Sequence, residues 1–136
     1  SRYIILIVFY YNFYFFMSIF RVLVIDDVSE VAELLAMVFP EYNFVSMNVP
    51  EEGVAKVISD RDISLVLLDY FMPGIDGISC LKKIKSKRPD IPVVMMSGQA
   101  SMRDNAIKNG ADGFLEKPFD VDHVQSTIEN YVNNLV

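Results

Sequence analysis

Three carboxylates, a hydroxyl and an ammonium group stand at the ends of four short apolar runs. Ser64-Leu65-Val66-Leu67-Leu68 closes on Asp69 and gives way to Tyr70-Phe71-Met72-Pro73-Gly74-Ile75-Asp76-Gly77. Residues 20–25 close on Asp26-Asp27, residues 91–96 on Ser97-Gly98, and residues 113–116 on Lys117-Pro118. At an effective dielectric near 20, two carboxylates about 4 Å apart repel by ~4 kcal/mol, so three ionised acids at one edge need a cation. An all-oxygen set suits Mg²⁺, which keeps several waters and is held by one or two carboxylates together with a phosphate. Lys117 cannot ligate a metal but can pair with a carboxylate or a phosphoryl oxygen as a point charge. Ser97 can donate to a phosphoryl oxygen, and Gly98 leaves room beside it. The set has the composition of a phosphoryl-transfer site, where positioning and charge neutralisation do most of the catalysis. Asp69 is its natural nucleophile, forming an aspartyl phosphate.

Such a set requires elements that bring four strand ends to one edge. A short apolar run bounded by turn residues is the pattern of a strand buried on both faces, the habit of parallel sheets covered by helices. Ligands of open α/β sheets sit in the crevice beyond the carboxyl ends of the strands. A lone Asp69 reads equally well as a turn cap; the other three strand ends shift the balance to a site. Between the runs, residues 29–39 carry Val31, Leu34, Leu35 and Val38 at helical spacing and stop at Pro40. Residues 43–47 form a weaker strand, and Pro50 opens a helix through Val54, Val57 and Ile58, where its missing N–H costs nothing. Residues 77–87 predict a helix whose Lys82, Lys83, Lys85 and Lys87 form a solvated face. Residues 101–109 predict a short helix stopped by Gly110, and residues 120–135 the last one. Five strand–helix units predict an α/β domain with helices on both faces of a parallel sheet.

The chain of 136 residues is one domain's worth of sequence, and its net charge of -6 argues against direct nucleic-acid binding. The single cysteine, Cys80, has no internal disulfide partner, fits a reducing, cytoplasmic setting, and shares a core-facing helical stretch with Ile78, Leu81 and Ile84. Residues 1–19 differ in composition from the rest: nine of the seventeen Phe and Tyr residues lie in the first twenty positions, and Arg2 is the only charge before Arg21. If residues 20–25 belong to the first strand, residues 3–18 supply roughly 24 Å of helix, short of a hydrocarbon core of about 30 Å, so a membrane span is not expected. One Arg and no small-residue cleavage site make a poor signal peptide. Met17-Ser18-Ile19-Phe20-Arg21 has the form of a natural chain start. Residues 1–16 are therefore expected to be a non-native or misassigned extension, β-prone and aggregation-prone when exposed, with a short membrane-surface anchor as the alternative.

The chemistry-bearing residues resemble those of the receiver domains of two-component response regulators. The resemblance covers residues 20–136 and rests on Val24-Ile25-Asp26-Asp27, Leu67-Leu68-Asp69-Tyr70-Phe71-Met72-Pro73-Gly74, Met95-Met96-Ser97-Gly98 and Gly110-Ala111-Asp112-Gly113-Phe114-Leu115-Glu116-Lys117-Pro118-Phe119, in the family's order. Any one of these is weak; four in order are specific. The resemblance implies a flavodoxin-like, doubly wound five-stranded sheet in the order 2-1-3-4-5 with five helices. It implies a signalling domain rather than an enzyme, in which Asp69 accepts a phosphoryl group from a phosphohistidine on a sensor histidine kinase or histidine phosphotransfer protein. Asp27, Asp69 and the backbone carbonyl of Phe71 would ligate Mg²⁺, with Asp26 acting mainly through water. Lys117 would contact the phosphoryl group, and the Lys117-Pro118 bond would be cis. Ser97 would swing toward the phosphate and Phe114 would turn inward. The surface of the fourth helix, fifth strand and fifth helix would change for a partner, an output domain or a second copy in a homodimer.

Three positions qualify the resemblance. Phe71 and Gln99 border the approach of water in this family, and a bulky apolar Phe71 implies slow self-dephosphorylation. Phe114 lacks the hydroxyl of the frequent Tyr, which removes any hydrogen bond that group would make. Phosphatases of the haloacid dehalogenase type also use an Asp nucleophile with Mg²⁺, but they carry a second Asp where this chain has Phe71. A phosphorylation-independent pseudo-receiver would have lost the acid pair, the acceptor or the lysine, and all are present. Met72 is expected to be loop packing and His123 a solvated surface residue.

Overall fold

The structure, a computed structural model, describes residues 1–134, apart from the side chains of residues 14 and 16–19. Five parallel strands carry the fold: β1 (Arg21–Ile25), β2 (Asn43–Met47), β3 (Ile63–Asp69), β4 (Val93–Ser97) and β5 (Gly113–Glu116). They lie side by side in the order β2-β1-β3-β4-β5, the doubly wound arrangement implied by the resemblance. Five helices cover the sheet: α1 (Glu30–Val38), α2 (Pro50–Ser59), α3 (Gly77–Lys87), α4 (Arg103–Lys108) and α5 (Val121–Asn133). Leu135, the expected last residue of α5, lies outside the described residues. Phe71–Met72 and Ile75–Asp76 pair as a small separate antiparallel ladder between β3 and α3.

The two faces of the sheet follow from strand periodicity, since successive side chains point to opposite sides. Leu23, Ile25, Val66, Leu68, Val93, Met95 and Phe114 pack in the layer of α2, α3 and α4, with Val57, Cys80, Leu81, Ile84 and Ala106. Val22, Val24, Leu65, Leu67, Val94, Met96 and Leu115 face α1 and α5, meeting Leu35, Phe39, Val124 and Ile128. Because both faces are covered, the central strands read as unbroken apolar runs.

Three local expectations are corrected. The buried stripe of α1 runs through Ala32 and Leu35 to Phe39, while Leu34 and Val38 are exposed. Aromatic contacts of Phe39 and Phe20 with Tyr42 hold this rotation of the helix. Lys85 is not simply solvated: its Nζ donates to the Ile91 carbonyl at 2.6 Å and pairs with Asp112 at 2.7 Å, closing the start of β4. The fourth helix opens with a 3₁₀ turn, Ala100–Met102, before the α-helical Arg103–Lys108. Gly110 follows at φ +106°, which a residue with a Cβ rarely adopts.

The N-terminal residues form a helix, Arg2–Ile19, of 18 residues, rather than a β-prone segment. It is ~27 Å long. The side chains of residues 3–11, Phe13 and Phe15 are 49% to 78% exposed. Among the described residues no helix is long and apolar enough to cross a membrane.

Candidate functional site

Strand register brings the chemistry together. Ile25 pairs with Leu68, so Asp26 follows β1 at the level where Asp69 ends β3. Asp69 pairs with Met96 and Ser97 with Glu116, which sets Ser97 beside the end of β3 and Lys117 one residue beyond the β5 pairing. The Lys117 amide donates to the Ser97 carbonyl at 2.8 Å. The Lys117-Pro118 peptide bond is cis, as expected.

Asp26, Asp27 and Asp69 each offer a carboxylate oxygen within 4.8 Å of the others. Asp26 and Asp69 are buried, at 1% and 7% exposure, while Asp27 is open to solvent. Lys117 bridges the two buried acids, with Nζ 2.6 Å from Asp26 Oδ2 and 3.5 Å from Asp69 Oδ1. Its closer partner is Asp26, whose other oxygen accepts from the Val28 amide at 2.9 Å. Asp69 therefore keeps more free acceptor capacity than Asp26. Burial raises the Asp69 pKa to about 6, and the nearby Asp26 charge adds to this; Lys117 opposes the rise, and Asp27 reinforces it more weakly. At neutral pH the carboxylate is mainly ionised.

One ammonium group cannot neutralise three carboxylates. The remaining negative charge and the all-oxygen donors fit a hard divalent cation of the Mg²⁺ type. Ser97 is 1% exposed, and its Oγ accepts from the Gln99 amide at 3.0 Å, leaving the hydroxyl proton available for donation.

Around this centre, Phe71 is 51% exposed, with its ring centroid 4.8 Å from that of Tyr70. Phe114 is not in the acid cluster. Its ring already points inward at 4% exposure, and the Arg103 guanidinium carbon lies 5.5 Å from its centroid, within cation–π range. Met72 is buried within the small ladder, where it pairs with Ile75, and His123 is exposed on α5. The structure thus unites Asp26, Asp27, Asp69, Ser97 and Lys117, and sets Phe114 behind them toward α4.

Sequence reasoning missed Tyr70, Gly77 and Asn105. A Cβ on Gly77 would lie 2.6 Å from both the Asp69 and Tyr70 carbonyl oxygens, so only glycine lets α3 start against the end of β3. The Gly77 amide donates to the Tyr70 carbonyl at 3.1 Å. Asp76-Gly77 carried that signal, but it resembles ordinary turn punctuation. Asn105 of α4 donates to the Tyr70 hydroxyl, a contact across 35 residues that no local pattern announces.

Comparison with known proteins agrees with this geometry. A family model described as the response regulator receiver domain matches residues 22–129. The nitrogen assimilation regulatory protein NtrX of Azorhizobium caulinodans is 31% identical over 119 residues, covering 84% of this chain and 26% of that protein. The chemotaxis protein CheY of Listeria monocytogenes is 32% identical over 113 residues, covering 80% of this chain and 95% of that protein. The chain thus spans about a quarter of the length of NtrX-type relatives and nearly all of CheY. Among solved structures, the response regulator TrrA of Thermotoga maritima, in complex with Mg²⁺-BeF, superposes with a TM-score of 0.74 at 28% identity, covering 82% of this chain and 98% of that one.

Proposed function

Because this chain belongs to the response regulator receiver domain family, we propose that Asp69 accepts a phosphoryl group from a phosphohistidine and that the phosphorylated domain signals through its α4-β5-α5 surface. The observation that carries the reading is the cluster of Asp26, Asp27 and Asp69 oxygens within 4.8 Å, with Lys117 bridging Asp26 and Asp69.

In the proposed reaction an Asp69 Oδ attacks phosphorus in line as the N–P bond of the phosphohistidine breaks. The leaving imidazole takes up a proton. Lys117 stays near the transferred group while its link to Asp69 loosens, and the Ser97 hydroxyl donates to a phosphoryl oxygen. Asp27, Asp69 and the Phe71 carbonyl would hold Mg²⁺, which supplies charge neutralisation to the transferring group. Asp26 would act through water, a role supported by the commitment of its oxygens to Lys117 and Val28. The crystallised TrrA complex with Mg²⁺-BeF supports the choice of ion.

The phosphoryl group adds about -1.5 to -2 charges, and shifting nearly all molecules to the active form needs roughly 5.5 kcal/mol of differential stabilisation. New charge-assisted bonds from Ser97, Lys117 and the bound Mg²⁺ together would supply that stabilisation. Since Phe114 is already inward, the change would appear mainly in Ser97 and α4. A sensor histidine kinase or phosphotransfer protein in the cytoplasm is the donor; an output domain, a separate partner or a second copy reads the surface. Phe71, where a dehalogenase-type phosphatase would carry its general acid, favours a stored acyl phosphate over rapid turnover.

A labelled phosphohistidine domain mixed with the protein and Mg²⁺ should lose label to Asp69 as a base-labile acyl phosphate. Transfer that persists in Asp69→Ala would contradict the assignment. Residues 1–16 are proposed to be separable from the domain of residues 20–136. A chain beginning at Met17 should remain folded and accept phosphoryl groups at an unchanged rate; failure to fold would overturn that division.

A further inference from the structure

We propose that Tyr70 is a positioning residue for the acceptor and metal site, held by Asn105, so that the position of α4 and the filling of the site are coupled through one side-chain hydrogen bond. This rests on the assignment of Asp69 as phosphoacceptor. Tyr70 sits between Asp69 and Phe71, so its backbone torsions set where the Phe71 carbonyl lies relative to the Asp69 carboxylate. Three elements converge on it. Its amide donates to the Met96 carbonyl of β4 at 2.8 Å, its carbonyl accepts from the Gly77 amide of α3 at 3.1 Å, and its hydroxyl accepts from Asn105 of α4. The two backbone bonds would survive a change of side chain; the link to α4 would not.

The surroundings give this link leverage. Tyr70 is 6% exposed and belongs to the same apolar layer as Phe114 and Ala106. Arg103, two residues before Asn105 on α4, lies over the Phe114 ring. One short helix thus grips the residue beside the acceptor and the aromatic residue behind Ser97. On the other side, the missing Cβ of Gly77 leaves the Asp69–Tyr70 backbone in close contact with α3, so Tyr70 has little room to move except by releasing Asn105. Binding linkage is reciprocal. If Asn105 stabilises the Tyr70 geometry that the site needs, Mg²⁺ binding must in turn tighten α4.

The test uses the full chain and Mg²⁺ alone as probe, with Tyr70→Phe, which keeps the ring and loses only the hydroxyl, and Asn105→Ala. Calorimetric titration should show Mg²⁺ binding weakened about fivefold in each single variant, the equivalent of one ordinary hydrogen bond, and no further in the double variant. With acetyl phosphate as donor, the Mg²⁺ concentration for half-maximal rate should rise similarly while the rate at saturating Mg²⁺ stays unchanged. Hydrogen exchange in α4 should slow on Mg²⁺ addition in the wild type and respond less in Tyr70→Phe. A variant that melts earlier but binds Mg²⁺ as tightly as the wild type would reduce Tyr70 to a packing residue and overturn the proposal. Additive weakening in the double variant would overturn it too. Failure of the wild type itself to bind Mg²⁺ would instead overturn the acceptor assignment, and the coupling with it.

Discussion

Replacing Asp69 by Asn should stabilise the metal-free protein at neutral pH and leave it unchanged in acid. The Asp69 carboxyl has its pKa raised from 3.8 to about 6, first by burial and then by the Asp26 charge. In the unfolded chain the group ionises near its ordinary value, so between these two pH values the folded state holds more protons. Stability from the buried neutral carboxyl is therefore fully present below pH 3.8 and is lost as the pH rises through about 6. A shift of about 2 units at ~1.4 kcal/mol per unit gives a loss of ~3 kcal/mol above that range. Asparagine fills nearly the same volume without the charge, and Lys117 keeps its closer contact to Asp26. Urea unfolding followed by circular dichroism, with EDTA present, should show the variant's midpoint about 1–3 M higher at neutral pH, taking a slope of about 1–3 kcal/mol per M. The gap should close as the pH falls from about 6 to about 4. An Asn variant no more stable than the wild type at neutral pH, or a gap independent of pH, would refute the argument that Asp69 is a strained buried charge.

Gly77→Ala should cost about 2 kcal/mol in urea or thermal unfolding, because the added methyl meets the Asp69 and Tyr70 carbonyl oxygens at 2.6 Å; an unchanged midpoint would show that α3 can retreat freely. Phe71→Asn should shorten the lifetime of phosphorylated Asp69 by about tenfold, ~1.4 kcal/mol in barrier, as an exposed ring gives way to an amide that can orient water. Loss of label over time measures this, and an unchanged lifetime would remove Phe71 as a shield. Burial, aided by Glu129 and Glu41, pushes the Tyr42 hydroxyl up to about 12 from 10.0. The folded state then keeps a proton the unfolded chain gives up, so up to ~3 kcal/mol is lost as the pH rises across that interval. Tyr42→Phe should flatten this alkaline fall, as read by unfolding midpoints at successive pH values.

The strands and the acid site were legible because each is written locally. An apolar run ending on Asp26-Asp27, on Asp69 or on Ser97 states both the strand and the group at its tip, and parallel register then aligns the tips. The rotation of α1 was not legible: Val31, Leu34, Leu35 and Val38 form a valid stripe, but so do Ala32, Leu35 and Phe39, and the Phe20, Phe39 and Tyr42 cluster selects the second. The N-terminal segment reads as β-prone from its aromatic residues, whereas the structure closes local helical hydrogen bonds over Arg2–Ile19. Lys85 and Asn105 sit on helices as exposed polar residues would. Their partners, Asp112 and Tyr70, lie 27 and 35 residues away in sequence, so only the folded chain reveals them.

The most direct measurement is intact mass after incubation with acetyl phosphate, with and without Mg²⁺, on the wild-type chain and on Asp69→Ala. A Mg²⁺-dependent gain of one phosphoryl group in the wild type, absent from the variant, is the predicted result. No adduct and no phosphate release from folded wild-type protein, or an equal gain in Asp69→Ala, would contradict the assignment of Asp69 as the phosphoacceptor.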